Sequence, residues 1–222
     1  MKKVFRLLTF RFSEKDIQTF SNSDLLLGIA GTWLAGVGRY WDHPHAKPLQ
    51  YAGLGSVIYI FILALFLWLL VFPYRVPGWK YKTVLTFISL TSFPAIIYAI
   101  PVERFMPFES AASANAWFLA IVATWRVILL YLFLKKIPEL KGYAPVLTFF
   151  PLALIVSSLS LLNLEKVVFN IMGGIRQTNA AYLAYEILLV LTMIAVVCLL
   201  PFFLLYILGI VQRNRFIKNN RE

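Results

Sequence analysis

Long apolar stretches constrain this chain more than any other feature of its sequence. Five of them are long enough to cross the ~30 Å hydrocarbon core of a bilayer, which takes about 20 residues of helix. They cover residues 49–72, 83–100, 114–134, 143–164 and 182–211. With 60% hydrophobic and only 14% charged residues, the chain has more apolar surface than a soluble domain of this size can bury. The sequence therefore predicts an all-α, polytopic bundle of membrane helices.

A sixth candidate span, at residues 25–41, is shorter and rich in glycine. Hydropathy alone leaves open whether it crosses the membrane, re-enters it or lies on its surface. Cytoplasmic loops carry more Lys and Arg than outer loops. Five spans would divide the loop Lys and Arg into 10 and 10, whereas six spans place 15 on one side and 5 on the other. We therefore predict six transmembrane helices with both termini cytoplasmic, in the inner membrane of a bacterium.

The predicted domain organisation has three parts. They are a basic amphipathic interfacial segment, a six-helix transmembrane domain and a basic cytoplasmic tail, at residues 1–22, 23–212 and 213–222. In the first part, Phe5, Leu8 and Phe12 share one face of a helix, with Lys and Arg around it. This pattern predicts a short amphipathic helix lying on a leaflet with anionic headgroups.

The net charge of +11 would indicate nucleic acid binding in a soluble protein. Here the basic residues flank apolar stretches, so they serve membrane orientation and no nucleic-acid partner is expected. The expected partners are lipids with anionic headgroups, together with another membrane protein or a second copy of the chain.

Small residues recur every four positions in the first span, at Gly28, Thr32 and Gly36. Small residues at this spacing let helix backbones approach closely in lipid. We favour tight packing inside the bundle, and the alternative is a helix that slides or lines a pathway.

Prolines interrupt three later spans, at Pro94, Pro151 and Pro201. A proline removes a backbone hydrogen bond and kinks a helix. Broken helices form substrate sites in transporters, but proline is also generally common in membrane helices.

Arg126 lies near the middle of the fourth span. Inserting a charge there costs ~2.5–3.5 kcal/mol, so the side chain should face the bundle interior. It either forms a structural ion pair or takes part in a functional site. Two polar residues toward the outer side of the membrane are its candidate partners, Glu186 in the sixth span and Asn163 at the end of the fifth.

A second group of polar candidates lies on the predicted outer side. It comprises Asp42, His43, His45, Glu103, Arg104 and Glu109. A metal ion needs three or four converging ligands, and the proline between the two histidines favours an extended turn. We therefore predict turn chemistry here, with no metal site and no cofactor.

Catalytic signatures are missing from the sequence. There is no His-Glu-x-x-His, phosphate-binding loop, Gly-x-Ser-x-Gly or Cys-x-x-Cys motif. The single cysteine, Cys198, rules out an intramolecular disulfide and a cysteine-based zinc site. An enzyme is therefore not the favoured class.

About half of the chain, residues 25–136, resembles the Yip family of small membrane proteins in its bacterial form. The likeness is carried by Phe-Leu-Trp-Leu-Leu at 66–70, Thr-Phe-Ile-Ser-Leu-Thr-Ser-Phe-Pro at 86–94, Ile-Pro at 100–101 and Ala-Trp-Phe at 116–118. Members of that family usually have five spans, one fewer than we predict. The resemblance implies a non-enzymatic protein that acts through lateral contacts in the membrane.

Three classes of function follow from these observations. The favoured class is a non-catalytic scaffold, assembly factor or accessory subunit that acts through helix–helix contacts. The alternative is a small transporter or permease subunit with a polar site around Arg126 and Glu186, and the third is a lipid-headgroup enzyme at the outer face. A transporter should gather several polar residues at mid-membrane, whereas the sequence shows one clear case, so the scaffold is favoured by elimination.

Overall fold

A computed structural model describes residues 2–41, 46–162, 164 and 180–219, without the side chains of residues 103, 108, 109, 112 and 180–188. Within these ranges all regular secondary structure is helical. The helices are α1 Lys2–Leu8, α2 Glu14–Gln18, α3 Asn22–Gly38, α4 Pro48–Tyr51, α5 Leu54–Val71, α6 Tyr81–Leu90, α7 Phe108–Lys136, α8 Ala144–Leu161 and α9 Ala180–Asn219. Short 3-10 segments lie at Phe72–Tyr74, Phe93–Ala99, Val102–Arg104 and Pro138–Leu140.

Five helical stretches in the described residues are long and apolar enough to cross a membrane. They are Leu54–Tyr74, Tyr81–Ala99, Ser113–Lys136, Ala144–Leu161 and Leu189–Asn219. Each corresponds to one of the five apolar stretches of the sequence. The prediction of an integral membrane protein built as a helical bundle is confirmed.

Helix α3 lies beside the span Tyr81–Ala99 over its whole length. Near the start of α3, the Lys82 ammonium group donates a hydrogen bond to Asn22. Beyond its end, the Trp41 indole N–H donates to the carbonyl oxygen of Ala99 at 3.0 Å. The two segments are therefore parallel, and the 17 residues of α3 rise about 25 Å.

The long helices alternate in direction along the chain. Helix α5 begins where α3 ends, since the Trp33 indole N–H donates to the Ala52 carbonyl at 2.8 Å. The next span begins where α5 ends, since the Trp79 indole N–H donates to the Trp68 carbonyl at 3.1 Å. The start of α3, the end of α5 and the start of α6 therefore lie at one end of the bundle.

The later helices meet at this same end. Near the end of α7, the ring of Phe133 stacks on Phe87 of α6 with centroids 4.0 Å apart. The ring of Tyr143, just before α8, lies 5.1 Å from that of Tyr74. From α9, the Tyr206 hydroxyl donates to the Leu70 carbonyl at 2.8 Å. Helices α7 and α9 therefore run toward this end, and α8 runs away from it.

The small residues of α3 are contact points with neighbouring helices. A Cβ added to Gly28 would lie 2.1 Å from Ser89 Oγ on α6. Buried Thr32 donates hydrogen bonds to the carbonyls of Gly28 and Ser89, at 2.9 and 3.2 Å. Gly36 lies against the carbonyl of Gly53, before α5. These positions bring the backbone of α3 close to both α6 and α5.

Pro94 changes the geometry of the span Tyr81–Ala99. A proline has no N–H and its ring clashes with the carbonyl four residues earlier, which here is that of Leu90. Helix α6 ends at Leu90, and a 3-10 segment, Phe93–Ala99, completes the span. By contrast, Pro151 and Pro201 lie inside α8 and α9.

The N-terminal segment packs into the bundle. Val4, Leu7, Phe12 and Ile17 are buried in the hydrophobic core, and the Trp125 indole N–H of α7 donates to the Leu8 carbonyl at 3.1 Å. Of the predicted apolar face of Phe5, Leu8 and Phe12, only part is packed. Phe12 is buried, whereas Phe5 is 67% exposed.

The predicted face divides because the helix is not continuous. Helix α1 ends at Leu8 and the backbone turns at Phe10, which has a φ of 62°. A single helical wheel through Phe12 therefore does not apply. The contact of this segment with an anionic leaflet stays a prediction.

An ion pair holds the fold of the N-terminal segment. Arg6 Nη2 lies 3.0 Å from Asp16 Oδ2, and the Ser13 backbone N–H and hydroxyl donate to the same oxygen at 2.7 and 2.8 Å. Burial alone would raise the pKa of Asp16. The Ser13 hydrogen bonds and the positive charge of Arg6 outweigh burial and lower that pKa below its ordinary value. The carboxylate therefore stays ionised at neutral pH.

Candidate functional site: an arginine–tyrosine cluster

Arg126 projects from the middle of α7 toward α5. Its guanidinium carbon lies 5.7 Å from the ring centroid of Tyr59, within the range of a cation–π contact. The Nη2 atom of Arg126 is buried and has no hydrogen-bond partner among the side chains and backbone that the structure describes. A buried, unsatisfied, charged donor is costly, so this atom marks a place where an acceptor would be favourable.

Arg39 is a second guanidinium group in the same region. It directly follows α3, and its guanidinium carbon lies 4.3 Å from the ring centroid of Tyr98. The same guanidinium group also interacts electrostatically with the Tyr98 hydroxyl. Because Tyr98 belongs to the 3-10 segment that contains Pro94, the parallel packing of α3 on the span Tyr81–Ala99 brings these two residues together.

The four side chains form one electrostatic unit, which we call the arginine–tyrosine cluster: Arg39, Tyr59, Tyr98 and Arg126. Arg39 lies within the electric field of Arg126, and Tyr98 within the fields of both arginines and of Tyr59. Two like charges inside a membrane protein repel each other more strongly than in water, because the local dielectric constant is lower. The repulsion between Arg39 and Arg126 is therefore stronger here than it would be in water.

The composition of the cluster suits binding rather than catalysis. An arginine offers five N–H donors in a planar fork and stays charged at any accessible pH. Such forks bind carboxylate and phosphate groups through two parallel hydrogen bonds. The four residues include no carboxylate, imidazole or thiol that would act as a nucleophile or general base. The cluster can hold an anion.

The depth of the cluster follows from its positions on the helices. Arg126 is ten residues before the end of α7 at Lys136, about 15 Å along the helix axis. Tyr59 is five residues after the start of α5 at Leu54. The cluster therefore lies within the helix bundle, well away from the end at which α5 ends and α6 begins.

No protein-family model matches the chain, and no match was found among curated proteins or solved structures. The resemblance to the Yip family therefore stays a prediction. The candidate function depends on the geometry of the cluster itself.

Most of the other predicted site residues lie outside the described structure. Neither the backbone nor the side chain is described for Asp42, His43, His45 and Asn163, and only the backbone is described for Glu103, Glu109 and Glu186. The pairing of Arg126 with Glu186 stays a prediction. In the described part of the chain, no three His, Cys, Asp or Glu side chains are grouped as a metal ion would require.

Arg104 is the outer-side candidate whose side chain is described. It is exposed in the 3-10 turn Val102–Arg104, and its guanidinium carbon lies 5.0 Å from the ring of Trp41. Arg104 therefore joins the end of α3 to the connection that precedes α7, and it is not part of the cluster.

Three cluster residues are missing from the candidates that the sequence alone predicts. Arg39 lies near the end of the candidate span 25–41, and Tyr59 and Tyr98 lie within the apolar stretches 49–72 and 83–100. The sequence held one indication for Arg39, its position directly after α3. The glycines of that helix are in close contact with its neighbours. The contact of Arg39 with Tyr98 spans 59 positions of the chain, and no local pattern predicts such a contact.

Proposed function

We propose that the protein is a six-span inner-membrane protein that binds an anionic ligand within the membrane, as a small transporter or permease subunit. One observation carries the proposal. Two arginines from different segments interact electrostatically, and Arg126 Nη2 is buried without an acceptor among the described residues. Intramembrane charges are expensive and usually functional.

Six spans with both termini in the cytoplasm are part of this proposal. Helix α3 is as long as the span it lies beside, from Asn22 opposite Lys82 to Trp41 opposite Ala99. If the span Tyr81–Ala99 crosses the bilayer, a helix that packs along it from end to end crosses the bilayer as well. The division of loop charges, 15 to 5, supports the orientation.

The cluster also favours a ligand-binding protein over a scaffold. On the sequence alone a scaffold is favoured, because only Arg126 is a clear polar residue at mid-membrane. The structure adds Arg39, Tyr59 and Tyr98 around it. A group of donors from four segments is what an intramembrane ligand site requires, and a scaffold has no need of it.

The ligand chemistry that fits is an oxyanion, a phosphate or a carboxylate. This group belongs either to a lipid headgroup or to a small soluble anion. The test therefore has two arms, inorganic phosphate and phosphatidylglycerol in mixed micelles, each against chloride at the same ionic strength. The readout is the thermal unfolding midpoint of purified protein, which rises when a ligand binds the folded state.

We expect at least one arm to stabilise the natural protein. Arg126→Gln should weaken the affinity for the stabilising ligand about tenfold or more, because a charged hydrogen bond contributes ~1.5–3 kcal/mol. The unfolding midpoint should then rise only at a correspondingly higher ligand concentration. Lys141→Gln is the matched control, since Lys141 is exposed in the loop before α8, and it should respond like the natural protein. An equal response in Arg126→Gln, or no response in either arm, would contradict the proposal.

A scaffold or accessory subunit is our second proposal, and α9 supports it. Helix α9 packs mainly on α8, and only 11% of the apolar window in Leu189–Asn219 is buried. Such a helix has a wide apolar surface available for another membrane helix. The same surface is equally suited to lipid, so this proposal ranks behind anion binding.

A further inference from the structure

A groove of about 690 Å³ lies between the N-terminal segment and the first and third spans. Val4, Phe5 and Leu8 of α1 line it on one side, and Leu27 of α3 and Phe93 line it on the other. The lining also includes two exposed basic residues, Lys2 and Arg6. The groove is therefore apolar along almost all of its surface, and Lys2 and Arg6 line it through the apolar atoms of their side chains.

The basic part of the groove lies toward the end of the bundle where α3 begins. The Lys3 ammonium group donates to the Thr19 carbonyl at 2.9 Å, and Thr19 is three residues before α3 at Asn22. At the other end of α1, the Leu8 carbonyl meets Trp125, eleven residues before the end of α7. Helix α1 therefore runs inward, from a basic shallow end to an apolar deep end.

The deep part of the groove lies at the level of the spans. Phe93 is twelve residues after the start of α6 and packs against Gly31 of α3. An apolar wall at this depth is surrounded by lipid chains in a membrane. The shallow charges lie where headgroups are found, because α3 and α6 begin at that level.

We infer that this groove binds an anionic phospholipid of the cytoplasmic leaflet. The acyl chain lies along Leu8, Leu27 and Phe93, and the phosphate lies against Lys2 and Arg6. Basic pockets between membrane helices on the cytoplasmic side bind anionic headgroups in this way. Arg6 keeps donors for a phosphate beside its bond to Asp16, since a guanidinium group has five N–H.

This site is separate from the arginine–tyrosine cluster, and only its assignment to the cytoplasmic leaflet rests on the topology in the proposed function. It shares no residue with the cluster, and its basic residues come from α1. A soluble peptide is a poorer occupant because the apolar wall is at membrane depth. A second copy of the chain is an outcome that the test can detect.

The test compares two lipids with the same acyl chains, phosphatidylglycerol and phosphatidylcholine, supplied in equal amounts to purified full-length protein. Native mass spectrometry then counts which lipid stays bound. The natural protein should retain phosphatidylglycerol in preference. Lys2→Gln should reduce this preference about fivefold, and Lys2→Gln with Arg6→Gln by roughly 25-fold, since each basic residue near the surface contributes a similar factor.

Three control variants separate the groove from general surface charge. Arg11→Gln with Lys15→Gln removes the same charge from exposed positions of the same segment and should leave the preference unchanged. Leu27→Trp fills the groove and should release the bound lipid. In an Arg126→Gln background the effect of Lys2→Gln should persist, so failure of the cluster proposal would be seen separately.

Four results would overturn the inference. They are equal retention of the two lipids by the natural protein, equal loss in the Arg11 and Lys15 control, full retention in Leu27→Trp, and a dimer that Leu27→Trp abolishes. Lys2→Gln keeps the Arg6–Asp16 ion pair, so its result does not depend on a folding defect of α1.

Discussion

Arg126→Gln is expected to stabilise the ligand-free protein, although it removes a buried, charged residue. Among the described residues Arg126 Nη2 has no acceptor, and the guanidinium group interacts electrostatically with Arg39. Glutamine removes the repulsion and the buried charge, and it keeps a polar group. The gain should be on the order of 1 kcal/mol, which raises the unfolding midpoint by roughly 2–4 °C in a chain of this size.

The direction of the change in unfolding midpoint shows whether Arg126 is unpaired or forms an ion pair with Glu186. If Glu186 neutralises it, as the sequence allows, removing one partner leaves the other buried and unpaired, which costs ~3–5 kcal/mol. A lower unfolding midpoint for Arg126→Gln in ligand-free detergent would therefore contradict the proposal that Arg126 is unpaired until an anionic ligand binds. In that case Glu186→Gln should be equally damaging, and the double variant should lose less than the sum. Lys141→Gln again serves as the control.

Gly28→Leu is expected to prevent stable assembly of the bundle. A Cβ at this position would already lie 2.1 Å from Ser89 Oγ and 3.0 Å from the Leu90 backbone nitrogen, so α3 and α6 would have to separate. Overpacking by smaller groups costs ~1–3 kcal/mol, and a leucine adds three more carbons. Separation would also break the hydrogen bond from Thr32 to the Ser89 carbonyl.

Gly28→Ala makes the test quantitative. Replacing glycine by alanine inside a helix normally stabilises it by ~0.5–1 kcal/mol, so a lower unfolding midpoint would report the contact with Ser89. Gly28→Ala combined with Ser89→Gly should recover much of the loss. Gly142→Ala is the control, because nothing lies within 4 Å of its added Cβ. An unchanged or raised midpoint for Gly28→Ala would show that α3 and α6 are not in close contact.

The spans were predictable because their cause is local. Each of the five apolar stretches is a helix at nearly the predicted position, since a long apolar segment in lipid must satisfy its own backbone hydrogen bonds. The effect of Pro94 was partly predictable, because proline ends the α-helix at Leu90. The N-terminal segment was only partly predicted, because a helical wheel cannot foresee the turn at Phe10.

The candidate site was predictable only where a single residue stands out. Arg126 is conspicuous because a charge interrupts an apolar stretch. Arg39, Tyr59 and Tyr98 carry no such local mark, and they meet Arg126 only through the packing of three helices. The contact between α3 and the span Tyr81–Ala99 is therefore the step that assembles the site, and it is the step that the sequence alone leaves open.

The six-span topology and the arginine–tyrosine cluster both depend on α3 crossing the membrane, and side-specific cysteine labelling tests this most directly. Lys15→Cys and Lys47→Cys place a thiol before and after α3 at exposed positions, each in a Cys198→Ser background, and Lys80→Cys serves as a reference for the cytoplasmic side. An impermeant maleimide should label position 47 in intact cells, and positions 15 and 80 only after permeabilisation. Labelling of positions 15 and 47 from the same side would show that α3 does not cross, and would contradict both the six-span topology and the meeting of Arg39 with Arg126.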